Sequence, residues 1–118
     1  MKYMLLIHHG ADTASGNEAW EAMSEEEQRE VYAAWQAVNE TPGLTPGVRM
    51  ADPENATTVR VQDGRTLTTD GPFVELKEAI GGYCFFECDD LDAAIEMAAR
   101  IPSARNGGAV EVRPIVEQ

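Results

Sequence analysis

The chain has 118 residues, with 21 acidic side chains against 9 basic ones and a formal net charge of −12. That balance excludes the polyanion binders, because nucleic acid and anionic membrane surfaces both need clustered lysine and arginine. The length suits one domain over residues 1–118. No apolar stretch is long enough for a bilayer span or a signal peptide, so a cytoplasmic protein is expected.

Residues 2–8 open the chain as a continuous apolar run. Tyr3, Leu5 and Ile7 fall on one face, Met4 and Leu6 on the other, the pattern of a strand covered on both sides. Residues 9–23 are polar and irregular, with a helical turn placed near Asn17 to Met23. Ser24-Glu25-Glu26-Glu27 then reads as a capping box with an acidic first turn. Val31, Ala34, Trp35 and Val38 continue it as an amphipathic helix, and Thr41-Pro42-Gly43 stops it.

The stretch 44–56 is rich in Pro and Gly, with a short strand placed near Val48 to Met50. Thr57 to Gln62 alternates, and Asp63-Gly64 suits a type I′ turn that returns the chain along Arg65 to Thr69. Pro72 cannot lie in a central strand. Residues 80–88 form a second strand apolar on both faces. Asp89-Asp90-Leu91-Asp92 caps a second helix with Leu91, Ala94, Ile95 and Ala98 on its apolar face, ending before Pro102. Gly107-Gly108 leads into a last strand, Ala109 to Val116.

The order is β-α-β-hairpin-β-α-β, an α+β chain of the ferredoxin-like kind. Two helices cover one sheet face only, while two strands are apolar on both. The uncovered face is therefore expected to meet a second copy of the chain, giving a homodimer. Cys84 and Cys88 lie about 13 Å apart on one strand, beyond disulfide reach, and read as small apolar residues.

Asp70-Gly71-Pro72-Phe73-Val74-Glu75-Leu76-Lys77-Glu78, with Gly81-Gly82-Tyr83, resembles the signature of the DGPF branch of the YCII-related family. The opening Met1 to Ile7, the stretch Ala56 to Val61 and the ending Val110 to Pro114 are similar to that family too. The resemblance implies a dimeric α+β barrel without an established reaction. Shorter relatives carry a His–Asp pair, suggested to be catalytic, with the histidine on the first helix. Ser24 to Glu40 holds no histidine, so that pair does not transfer. Members of the branch tend to be encoded near alternative sigma factors, which implies a regulatory module as one alternative.

The residues themselves offer several candidates. Asp70 either fixes its turn or aims a carboxylate into a pocket as a general base. His8 and His9 end the first strand on opposite faces, and histidine is the side chain best suited to proton transfer at neutral pH. Phe73, Glu75 and Lys77 would hold a small polar ligand, the lysine as an anion contact. Arg60 and Arg113 sit on strands as an anion clamp if they point inward. No phosphate loop, dinucleotide fingerprint, nucleophile elbow or zinc spacing is present, and the residues name no cofactor. The leading expectation is a dimeric small-ligand-binding protein with its pocket near Asp70, Phe73 and Glu75. The alternative is a cofactor-independent enzyme that pairs Asp70 with His8 or His9.

Overall fold

The computed structural model describes residues 1–9, 21–51, 53–71, 79–105 and 107–116. Its strands are β1 (Lys2–His9), β2 (Val48–Arg49), β3 (Thr57–Gln62), β4 (Arg65–Asp70), β5 (Ala79–Glu87) and β6 (Ala109–Pro114). Its helices are α1 (Glu25–Asn39), α2 (Leu91–Arg100) and the single turn α3 (Pro102–Arg105). The turn placed near Asn17 to Met23 falls largely outside the described residues.

Four strands form one antiparallel sheet in the order β2-β5-β1-β6. β1 is therefore parallel to β2 and β5 to β6, so α1 and α2 each close a crossover unit and the two units interleave. This is the α+β, ferredoxin-like arrangement. β1 and β5, the two strands apolar on both faces, take the two central places, as that pattern predicts.

The core lies between this sheet and the helices. Tyr3, Leu5 and Ile7 of β1 and Cys84 and Phe86 of β5 meet Val38 of α1, Ala94 and Met97 of α2, and Ile101. Leu5 is fully buried and stands opposite Cys84 on one side and Val112 on the other. Burial pushes the Cys84 thiol up to about 11, as expected of a cysteine acting as a small apolar residue.

The helix starts follow their sequence signals. Ser24 Oγ accepts from the Glu27 N–H at 3.1 Å, and Glu27 Oε1 accepts from the Ser24 N–H at 3.4 Å, closing the box. Asp90 accepts from the Ala93 N–H at 2.9 Å to start α2. Prolines mark two further boundaries, the first as expected and the second earlier than expected. Ile101, ahead of Pro102, is extended and ends α2, but Pro102 then opens α3, since a first helical position needs no N–H. The last strand stops at Pro114, short of Val116. Ile115 N–H donates to Lys2 O at 2.8 Å, so Pro114 sits at an outward position on the free edge, where its missing donor breaks no ladder bond.

The hairpin is a sheet of its own. β3 and β4 pair from Thr57↔Asp70 to Gln62↔Arg65 around Asp63 and Gly64, whose φ values of 50° and 77° match the positive pair a type I′ turn needs. Val59, Val61 and Leu67 are all exposed. The alternation of valines here marks one face of the hairpin rather than a place in the main sheet.

No helix among the described residues is long and apolar enough to cross a membrane.

Candidate functional site

Side-chain alternation fixes what the helix-free face of the four-stranded sheet carries. Opposite the buried residues of β1 stand Lys2, Met4, Leu6 and His8. Across from Leu6 lie Tyr83 on β5 and Glu111 on β6; across from Met4 lie Phe85 and Arg113. Tyr83 and Phe85 meet edge to face with ring centroids 6.1 Å apart, and the Lys2 ammonium sits 5.3 Å over the Phe85 ring. The centre of the face is thus aromatic and aliphatic, with a polar row along β6.

That polar row converges on Glu111. Its Oε2 accepts from Arg113 Nε, and its Oε1 lies 3.4 Å from His8 Nε2. The hydrogen bond from Arg113, and then the arginine's charge, hold the Glu111 carboxyl below its usual 4.5; partial burial opposes this, and His8 adds to the lowering. The two carboxylate oxygens are therefore divided, one held by the arginine and one turned to the imidazole.

His8 is the least exposed member, with 14% of its side chain accessible. Its Nε2 is shut off from solvent and has no hydrogen-bond partner among the described residues, because the approach to Glu111 is off the line a hydrogen bond needs. Two backbone features place the ring. The β1–β5 register slips between Ile7 and His8, so that Ile7 faces Gly82 and His8 faces Ile80, a bulge opposite the histidine. On the other side Gly108 packs against the His8 carbonyl. A β-carbon there would lie 2.9 Å from Ser103 O and closer still to His8 O.

The other predicted residues are placed as follows. Asp70 ends β4 in the separate hairpin sheet and is exposed. Beyond it the hairpin pairing continues, with Gly71 N–H donating to Ala56 O at 2.7 Å and Thr58 Oγ donating to Gly71 O at 2.8 Å. The ion-pair neighbour of His8 among the described residues is Glu111, not Asp70. His9 pairs with Ala79 at the end of β1, and its side chain lies outside what is described. Phe73, Glu75 and Lys77 fall within 72–78, outside the described residues. Arg60 stands opposite Leu67 on the hairpin and Arg113 beside Glu111, so the two arginines belong to different sheets. No three His, Cys, Asp or Glu residues gather as a metal site among the described residues.

Glu111 was the residue sequence reasoning missed. Its signal was present, since Val110 and Val112 point it away from the core, but its neighbour became visible only once β6 paired with β1.

The family described as YCII-related domain matches residues 1–118. An uncharacterised protein of Rhizobium meliloti is 32% identical over 117 residues, covering 98% of this chain and 92% of that protein.

Proposed function

Since the chain belongs to the YCII-related family, we propose that it is a single-domain, small-ligand-binding protein that pairs with a second copy through its helix-free sheet face. The ligand sits on that face, with Phe73, Glu75 and Lys77 as further contacts named by the sequence motif that begins at Asp70. The observation that carries the reading is the make-up of the face. Met4, Leu6, Tyr83 and Phe85 form an apolar floor beside His8, Glu111 and Arg113. An apolar floor with a few convergent polar groups is what a small organic ligand needs. The same floor is the kind of surface a second sheet covers. Its free, buried Cys84 thiol suits the reducing cytoplasm.

A second reading, proton transfer on a small organic substrate, is favoured by the Glu111 carboxylate beside His8. A carboxylate that orients an imidazole is the arrangement a general base uses. In this reading Glu111, rather than Asp70, is the positioning partner of His8.

Thermal shift with a panel of small phenols and aromatic carboxylic acids tests the binding site. Compounds that bind raise the melting temperature of the wild type by several degrees at saturation and leave His8→Ala unmoved. Stabilisation of both proteins to the same extent would place the ligand elsewhere.

A further inference from the structure

The β3–β4 hairpin is too exposed to be a finished part of a lone chain. A two-stranded hairpin is at best marginal in water without a third strand or a packed face. Here Val59 is 58% exposed and Val61 67%, both on the face they share with Thr66 and Thr68. Leu67, on the other face, is 44% exposed. The molecule is correspondingly drawn out. Its radius of gyration is 16.3 Å, against about 13.5 Å for a compact chain of this length, and its extents are 52 × 41 × 19 Å.

We infer that the hairpin is an arm that reaches across the pair and lays its Val59–Val61 face on the second copy. This rests on the pairing proposed above and adds the element that completes it. Area supports the assignment. Four strands about 4.8 Å apart and about six residues long make a face of roughly 400 Å². A stable interface takes about 800 Å² from each partner. The valine face of the arm adds about 200 Å², and the patch it covers on the other copy adds about as much again.

Charge points the same way. Arg60 and Arg65 balance Asp63 and Asp70, so the arm is neutral and the net charge of −12 lies on the rest of the chain. A neutral arm approaches a strongly acidic second copy without net charge repulsion of its own. The valine face holds no cation and a single carboxylate, Asp70, at the base of the arm.

Two measurements test the arm. Hydrogen exchange is followed across residues 57–70 in the wild type and in Leu6→Asp, which is designed to separate the copies. Arm amides are slow in the wild-type pair and at least about tenfold faster in separated chains. In parallel, Val59→Asp combined with Val61→Asp raises the dissociation constant at least about a hundredfold. Both positions are exposed in the single chain, so its own stability changes little. Equal arm exchange in paired and separated chains, or an unchanged dissociation constant in the double variant, overturns the arm and leaves the sheet-face pairing standing. A Leu6→Asp protein that stays paired with a protected arm supports the arm and refutes the sheet face. A wild type that is monomeric at micromolar concentration refutes both.

Discussion

Replacing Leu5 and Leu6 with alanine, one at a time, separates the two faces of the central strand. Leu5 is fully buried between Cys84 and Val112 under the helices. Removing three carbons forfeits about 2.4 kcal/mol of transfer free energy at ~0.8 kcal/mol per methylene. The cavity left in a packed core raises the loss to about 3–5 kcal/mol. At a urea slope of about 1.5 kcal/mol/M the unfolding midpoint falls by roughly 2 M or more. Leu6 is the next residue on the strand and points the other way, so in a separated chain its truncation removes only a partly exposed side chain. Its effect belongs to association: the dissociation constant rises, and the loss of stability relative to wild type is largest where the wild type is paired and fades as the protein is diluted. Urea titrations of both variants at several protein concentrations read the difference. A Leu5→Ala midpoint within about 0.5 M of wild type would refute the closed core. A Leu6→Ala effect independent of concentration would refute the covered second face.

Gly108→Ala presses a β-carbon against the His8 carbonyl and Ser103 O, both backbone atoms that cannot yield cheaply. A loss of about 1–3 kcal/mol in denaturant titration is expected, together with shifted NMR signals for His8. For Glu111, whose folded carboxyl is held below 4.5, the sign is fixed. Its contribution is present above 4.5 and is lost as pH falls through the lowered folded value. Urea midpoints from neutral to acid pH should therefore converge between wild type and Glu111→Gln; a gap that stays constant would show that Arg113 does not hold the carboxylate. For Cys84, raised from 9.0 to about 11, stability is present below 9.0 and lost as pH rises through about 11. A thiol reagent at pH near 8 labels Cys88 in the folded protein and reaches Cys84 only after unfolding, whereas equal labelling of both would contradict the burial.

Much of the fold was legible because its signals are local. The two-sided apolar runs of β1 and β5 named the central strands, Ser24 with Glu27 named the start of α1, and Asp63-Gly64 named the turn of the arm. What the sequence did not disclose depends on contacts between distant segments. The valine alternation of β3 is the same whether a strand joins the main sheet or stands in a separate one, so the exposed arm was not readable from it. Pro102 carries both a stop and a start signal, and only the chain's path decides that both are used. The polar row behaves likewise. His8 and Glu111 are more than a hundred residues apart, and they become neighbours through the pairing of the first strand with the last. Asp70 drew attention through its motif, and the structure places it in a different sheet from His8.

The mass of the protein in solution tests the account most directly, because the covered sheet face, the ligand cleft and the arm all require two chains. Light scattering at micromolar concentration should give twice the 12.9 kDa mass of one chain, and Leu6→Asp should return the single-chain value. A wild type that scatters as 12.9 kDa across that range would contradict the pairing and leave the helix-free face open to solvent.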